Sequence, residues 1–302
     1  MTNDIFEQIL SKFNKKRILL TGSSGYIGSR ASLELDKYGA EVLGIDKDVI
    51  QSSIDQEEFS LTSAEKLDSI IKKFKPDLIF HSGTNSASDY YNHFLKSFNE
   101  DYNSLTNILR SIDKFNNKDV PIVFFSSSYV YSGEPKNTMA QENNKLQPNH
   151  NFGVGKRFFE EMLKRSHKNY DIYRLSSVYG KGNPRKPNAI FNMIEQANKE
   201  KKIDLWGIGE RKMQYVSIDD VIKHSLGPAL SKPDVYNLGS DNYLSTSEVV
   251  KCIAKATKVN VSVLKNKQEG ETLPFMENKK IKETNNLQFD DVLENIFELA
   301  KK

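Results

Sequence analysis

The chain has 302 residues, 27% of them charged, and its 43 Lys and Arg against 40 Asp and Glu leave a net charge of only +3. So small an excess provides no electrostatic basis for binding nucleic acid or an anionic membrane surface. The single cysteine, Cys252, excludes an internal disulfide, which fits a reducing compartment.

Short apolar runs alternate with helical patterns through the first 180 residues. The runs that predict β-strands begin at Arg17, Glu41, Asp77, Val120 and Asp171. They are continuous rather than alternating, as expected for a parallel sheet that is covered on both faces. Amphipathic segments lie between them, and this alternation predicts βαβ units in a doubly wound parallel α/β sheet of the Rossmann type.

The pattern changes after about Tyr179. Residues 181–187 contain two prolines and a glycine, which is typical of a loop or a boundary. Beyond this loop we predict helices near 189–198, 245–257 and 290–302 and strands near 203–206 and 214–218, and we expect the polar segment 277–286 to be mobile. The sequence therefore predicts a dinucleotide-binding domain at 1–178, to which residues 213–240 return, and a smaller α+β substrate lobe at 179–302.

Three glycines stand where the first predicted strand meets the next helix. Gly22, Gly25 and Gly28 let the turn tighten, let a pyrophosphate approach the backbone and let the helix pack on the strand. Asp46 ends the second strand 24 residues after Gly22, where a carboxylate accepts both ribose hydroxyls and repels a 2′-phosphate. The combination predicts a site for NAD rather than NADP, although Lys47 next door would soften that preference.

Several motifs occur in an order known from one enzyme family. They are residues 21–28, 77–83, 125–131, 152–160, 174–180, 206–209 and 216–220. From about Lys15 onward the chain resembles the extended short-chain dehydrogenase/reductase family, in its sugar-nucleotide epimerase/dehydratase branch of UDP-glucose 4-epimerase-like enzymes. The resemblance implies NAD as cofactor, a nucleotide-linked sugar as substrate and hydride transfer at a sugar carbon, expected to be C4. It leaves open which sugar is bound and whether the net reaction is epimerisation, reduction or oxidation.

The family's chemistry uses a serine, a tyrosine and a lysine. The tyrosine exchanges the hydroxyl proton, the lysine four residues later holds the nicotinamide ribose and lowers the tyrosine pKa, and the serine binds the same sugar oxygen. By register the resemblance assigns the serine to Ser127 and the lysine to Lys156, but Phe152 occupies the place of the tyrosine. Because phenylalanine lacks the ionisable oxygen, proton transfer should fall by roughly 10²–10⁴.

Three explanations of Phe152 are open. It is an engineered replacement of tyrosine that holds a complex in an unreactive state, or the protein has naturally lost catalysis and serves as an NAD-binding sensor. In the third, another acid acts, for which Tyr129 and His150 are nearest in sequence. Tyr129 matches the position where resembling dehydratases carry a catalytic glutamate, and it either faces the substrate or packs at the pocket edge. The segment lacks the Asp-Glu pair of 4,6-dehydratases, which disfavours sugar dehydration.

The resemblance implies further contacts. For the cofactor these are Ser24, Tyr26, Ile27, Ser60, Leu61, Ser82, Gly83 and Thr84, and for the substrate they are Ser127, Ser128, Tyr129 and Ser177. Relatives place an arginine after the Gly-x-Gly of the substrate lobe to bind the diphosphate, and here Met213 has that register. A shift of one or two residues would bring Arg211 to a phosphate instead. Asp101 stands where an asparagine is usual, and His81 is predicted to be a satisfied core imidazole.

The sequence also bears on metal binding, on oligomeric state and on localisation. No His, Cys, Asp and Glu cluster has metal-ligand spacing, so we predict no metal site. The helix after Phe152 has more apolar surface than one side needs, and the resemblance implies a homodimer through the helices near 99–114 and 152–166. The polar N-terminus differs from a signal peptide and no apolar run approaches the ~18 residues that span a bilayer, so we expect a cytoplasmic protein.

Overall fold

A computed structural model describes residues 2–135, 138–182, 189–227 and 233–301. Its centre is a seven-stranded sheet in which every neighbouring pair runs parallel. The strands are β1 (Arg17–Thr21), β2 (Glu41–Asp46), β3 (Asp55–Glu58), β4 (Leu78–His81), β5 (Ile122–Ser127), β7 (Tyr170–Leu175) and β11 (Asp234–Leu238). The order across the sheet is β11-β7-β5-β4-β1-β2-β3, which confirms the predicted doubly wound Rossmann arrangement.

Helices cover both faces of this sheet. On one face lie α1 (Thr2–Ser11), α2 (Tyr26–Lys37), α8 (Ile218–Leu226) and α10 (Lys279–Asn285). On the other lie α3 (Ala64–Phe74), α4 (Ala87–Asn92), α5 (Phe94–Lys114) and α6 (Asn151–Ser166). Successive β1 residues alternate between the two cores, since Ile18 and Leu20 join the first and Leu19 the second. Burial on both faces explains why inner strands such as β1, β4 and β5 are continuously apolar, whereas β3 at the edge is polar and exposed.

The remaining elements form three small sheets and a third core. β8 (Ser177–Tyr179), β10 (Lys212–Ser217) and β12 (Tyr243–Ser245) form one sheet; β9 (Lys202–Trp206) pairs with β13 (Asn260–Leu264), and β6 (Met139–Ala140) with β14 (Phe275–Met276). The helices are α7 (Ala189–Glu200), α9 (Thr246–Thr257) and α11 (Val292–Ala300), and a 3-10 helix spans Ser128–Tyr131. Buried residues such as Ile203, Val250 and Ile296 join β9, α7, α9 and α11 in one apolar cluster, whereas the 3-10 helix, β6 and β14 share a separate small one.

The C-terminal half contributes one strand to the central sheet. β11 lies in the sheet, but β10, which the predicted returning segment 213–240 largely covers, belongs to the sheet of β8 and β12. The segment 277–286 is not an open loop, because it contains α10, whose Ile281 is buried in the core beneath the sheet. The domain boundary after residue 178 stays a prediction, and residues 183–188 of the predicted loop lie outside the described residues.

The sheet order determines where a ligand can bind. β4 lies directly beside β1, although β2 and β3 come between them in the chain. In open α/β sheets, a crevice forms beyond the carboxyl ends of the strands at such a change of direction. Among the described helices, none is both long and apolar enough to cross a membrane.

Candidate active site

A cavity of about 640 Å³ opens at this crevice and extends to α6. The predicted site residues that line it are Gly22, Gly25, Tyr26, Ile27, Gly28, Asp46, Lys47, Ser60, Leu61, Ser82, Gly83, Thr84, Ser127, Phe152, Lys156 and Ser177. Ser24, Ser128, Tyr129 and Arg211 are not in the lining. The cavity therefore brings most of the predicted cofactor residues together with Ser127, Phe152 and Lys156 in one continuous space.

The glycine turn leaves no room for side chains. Gly22 has a φ of +70°, and a Cβ there would lie 2.7 Å from the Cα of Gly83. A Cβ on Gly28 would lie 2.1 Å from the Gly22 carbonyl oxygen. Gly25 precedes α2 with no side-chain cap, so no side chain blocks the first amides of the helix. These features fit a pyrophosphate that approaches bare backbone at a helix N-terminus.

Asp46 is held at the far end of the cavity. Its carboxylate accepts hydrogen bonds from the backbone N–H groups of Ser24 and Asp48, at 3.0 and 3.2 Å. Ser24 thus orients Asp46 rather than lining the cavity itself, and its Oγ accepts from Ile50 N–H. The carboxylate stays at the carboxyl end of β2, where it fits an adenosine ribose.

Lys156 lies at the inner end, 2% exposed. Its Nζ donates to Thr84 Oγ1 and to the Phe125 carbonyl oxygen, both at 2.9 Å. Burial lowers the pKa of Lys156 to about 8, and the charges of Asp101 and Glu160 oppose this fall. The lysine is therefore a cation near neutral pH.

Phe152 lies in a group of aromatic rings. Its ring centroid is 5.4 Å from that of Tyr90 and 5.9 Å from that of Tyr129, and Lys156 Nζ is 5.4 Å from it. His150 caps α6 by accepting the Phe152 N–H at its Nδ1, and its ring lies 4.5 Å from that of Tyr129. Tyr129 and His150, the two candidate acids, therefore adjoin Phe152, although neither is in the cavity lining.

Ser127 and Ser128 lie where β5 meets the 3-10 helix. Ser127 Oγ, in the lining, accepts the Tyr129 N–H at 3.3 Å at the start of the 3-10 helix. Ser128 follows it and is buried away from the cavity.

The Arg211 side chain contacts residues 270–271 and not the cavity. Its Nε donates to the Glu271 carbonyl oxygen at 2.8 Å, and a Cβ on Gly270 would meet its guanidinium group at 2.9 Å. Glu269 explains this position, because its carboxylate accepts the backbone N–H groups of residues 208–211 and holds the turn against 269–271. The one- or two-residue shift considered above therefore does not bring Arg211 into this cavity.

Sequence reasoning missed several polar lining residues. These are Asn85, Ser86, Asp89, Glu100 and Ser104. Asn85 and Ser86 come soon after β4, so their position just after a predicted strand end was an available signal, whereas Asp89 lies in α4. Glu100 and Ser104 enter from α5, and only the crossing of that helix over the sheet brings them here.

His81 is buried, as predicted, but only half satisfied. Its Nδ1 lies 2.7 Å from Thr21 Oγ1, while its Nε2 has no partner within the described part of the chain. Burial lowers the pKa of His81 to about 3, so the imidazole is neutral. Across the described ranges, no group of three or more His, Cys, Asp or Glu could hold a metal ion.

Comparisons with known proteins agree with the fold and the motifs. The chain is 24% identical over 278 residues to a UDP-glucose 4-epimerase of Lactobacillus helveticus, covering 81% of this chain and 83% of the relative. It is 26% identical over 282 residues to a dTDP-D-glucose 4,6-dehydratase of Dictyostelium discoideum, covering 82% and 62%. The crystal structure of Thermotoga maritima UDP-glucose 4-epimerase with UDP-glucose superposes with a TM-score of 0.83 at 20% identity, covering 94% of this chain and 97% of the other. Residues 18–239 match the NAD dependent epimerase/dehydratase family. The chain belongs to that family, within the extended short-chain dehydrogenases/reductases, and NAD is its cofactor.

Proposed function

We propose that this protein is an NAD-dependent epimerase or oxidoreductase that acts on a nucleotide-linked sugar, with hydride transfer at C4. The observation that carries the proposal is the single cavity that joins the glycine turn to Ser127 and Lys156. Bound NAD supplies the hydride acceptor or donor. Relatives named for UDP-linked and dTDP-linked glucose support the substrate class.

The residues at the inner end have separate tasks in this proposal. Lys156 holds the nicotinamide ribose, because its buried ammonium group lies beside Thr84 in the lining of the cavity. Ser127 Oγ donates a hydrogen bond to the reacting sugar oxygen. Phe152 adjoins the ammonium group of Lys156 and contributes shape, but it has no proton to exchange. Proton transfer is therefore the step that this chain performs poorly.

Phe152→Tyr tests the proposal. If the missing oxygen limits the reaction, the variant should gain roughly 10²–10⁴ in rate over the Phe152 protein. The assay follows the nicotinamide absorbance, and the sugar product, with a panel of nucleotide sugars whose binding is first measured. Phe158→Tyr is the matched control, since Phe158 is on the same helix but 43% exposed and outside the cavity lining. No gain for any sugar that binds would refute the proposed chemistry.

Tyr129 and His150 are the candidates for a substitute acid. Their rings are 4.5 Å apart, and Tyr129 contacts the edge of Phe152. If they replace the missing hydroxyl, the Phe152 protein turns over measurably, and Tyr129→Phe abolishes that activity while sugar binding is retained. Activity that survives in Tyr129→Phe and in His150→Gln would eliminate both.

A non-catalytic sensor of NAD and a sugar ligand is the alternative function. Phe152 motivates it, as does the engagement of Arg211 with residues 269–271 rather than with the cavity. A sensor binds NAD normally, and Phe152→Tyr then gives it no turnover. If Phe152 instead replaces a natural tyrosine by engineering, the reverse substitution recreates the enzyme.

We propose a homodimer through α5 and α6 in the cytoplasm. These helices and α4 present exposed apolar side chains, namely Tyr91, Leu95, Tyr102, Val154 and Phe158. Phe158→Glu should therefore give a monomer in light scattering. Leu33→Glu is the control, because Leu33 is 53% exposed on α2, across the sheet, and its replacement should leave the dimer intact.

A further inference from the structure

Asp101 is a buried carboxylate that the proposed reaction does not use. It is 3% exposed on α5. Its Oδ1 accepts the backbone N–H and the side-chain Nδ2 of Asn85, both at 2.9 Å, and its Oδ2 accepts the Tyr90 hydroxyl at 2.9 Å. All three partners act as donors, which is the environment of an ionised carboxylate, since that group only accepts. Burial raises the pKa of Asp101, and the positive charge of Lys156 opposes the rise.

Tyr90 connects Asp101 to the helix that carries the reactive positions. The Tyr90 side chain is fully buried and packs on Gly155, where a Cβ would lie 2.5 Å from Tyr90 Cε1. Glycine at 155 therefore makes room for this ring, one residue before Lys156. The same ring packs edge-on against Phe152 at 5.4 Å between centroids. Asp101 and Tyr90 thus form one packed unit with this turn of α6.

Asn85 connects Asp101 to the segment after β4, which also contacts Lys156. The lysine donates to Thr84, and the next residue, Asn85, is bound to Asp101 through both its backbone and its side chain. We propose that Asp101 is a positioning residue for Lys156: it is the buried counter-charge that keeps the ammonium group protonated, and through Asn85 it fixes the segment that orients it.

The other groups around Lys156 are either uncharged or already paired with another cation. His81, from β4, is neutral, because burial lowers its pKa to about 3. Glu160, from α6, is engaged by Arg174, whose Nη2 and Nε bind it at 2.7 and 3.0 Å. Thr84 and the Phe125 carbonyl are uncharged. Asp101 has no ion pair among the described residues, and its negative charge opposes the fall in the Lys156 pKa that burial causes.

The test is NADH binding as a function of pH, followed by nicotinamide fluorescence between pH 6 and 9.5. Wild-type affinity should weaken as the pH rises through about 8, where Lys156 loses its proton. Asp101→Asn keeps the shape and removes the charge, so its inflection should move to lower pH by about one unit, the lower end of the effect of a nearby opposite charge. When each protein's NADH affinity is divided by its own value at pH 6, the variant should bind about tenfold more weakly than wild type at pH 9.

Two comparisons keep the inference falsifiable. Asp68→Asn removes another mostly buried carboxylate, which binds Ser111 and Lys114 away from the cavity, and should leave the inflection unchanged. A uniform loss of affinity in Asp101→Asn, with no movement of the inflection, would show a merely structural role and overturn the inference. If that variant does not fold, Asp101→Glu keeps the negative charge and should keep the wild-type inflection. An inflection lowered by about one unit in Asp101→Glu would overturn the inference. The inference rests on cofactor binding, so failure of every sugar assay would count against the proposed function alone.

Discussion

Glu160→Gln should destabilise this protein far more than an ordinary lost ion pair. Glu160 and Arg174 are 0% and 2% exposed, and their closest contact is 2.7 Å. Removing one charge from such a pair leaves the other buried and uncompensated, at a cost of about 3–5 kcal/mol. Glutamine keeps the shape and one acceptor, so we expect the lower end, about 3 kcal/mol. That is a large part of the roughly 5–15 kcal/mol that stabilises a typical protein.

An exposed pair of the same chemistry is the control. Lys199 and Glu195 approach to 2.6 Å, but their side chains are 71% and 58% exposed. Glu195→Gln should therefore cost only about 0.3–0.5 kcal/mol. Urea unfolding measures the free energy of unfolding of both variants, provided that the m-value stays constant. The double variant Glu160→Gln, Arg174→Met should recover part of the lost stability, because no unpaired buried charge remains. Equal costs for Glu160→Gln and Glu195→Gln would refute the assignment of the difference to burial.

Three further predictions concern the cofactor end and pH. Gly28→Ala should abolish NADH binding in calorimetry, because its Cβ would lie 2.1 Å from the Gly22 carbonyl oxygen; unchanged affinity would contradict the geometry. Asp46→Ala should raise the affinity for NADPH relative to NADH, since the carboxylate that repels a 2′-phosphate is gone, and an unchanged ratio of Kd values would argue against its role. Burial raises the pKa of Asp171 to about 7, so the folded protein holds this proton more tightly than the unfolded chain and loses stability as pH rises from about 4 to 7. Asp171→Asn should remove that loss and be more stable than wild type at pH 8 in urea unfolding.

Most of the central sheet could be predicted from the sequence because its signals are local. β1, β2, β4, β5 and β7 are apolar runs that both cores bury, and each matched a predicted strand. α10 was missed because its segment is mainly polar, and the few residues that anchor it, such as Ile281, show no periodic pattern. β11 is defined by its pairing with β7, which is distant in the chain. Elements fixed by long-range pairing give little local signal.

The same distinction applies to the site. Residues that follow strands β1, β2 and β4 could be located, because a parallel sheet brings these carboxyl ends to one edge. The position of Arg211 could not be predicted, because Glu269, which is distant in the chain, binds the backbone of its turn and fixes where it lies. Asp101 was recognised as unusual, but its partners Asn85 and Tyr90 become visible only when α4 and α5 are packed together.

The two ends of the cavity also differ in what they require of side chains. At the glycine turn, a pyrophosphate meets backbone amides, so the cofactor end depends on the absence of side chains at Gly22 and Gly28 rather than on a reactive group. At the inner end, the proposed chemistry depends on oxygen and nitrogen atoms of Ser127, Lys156 and their neighbours. Phenylalanine at position 152 therefore removes the proton-exchanging hydroxyl while leaving the cofactor turn intact. NAD binding alone cannot separate an enzyme from a sensor on this scaffold, whereas a rate gained by restoring one oxygen at position 152 can.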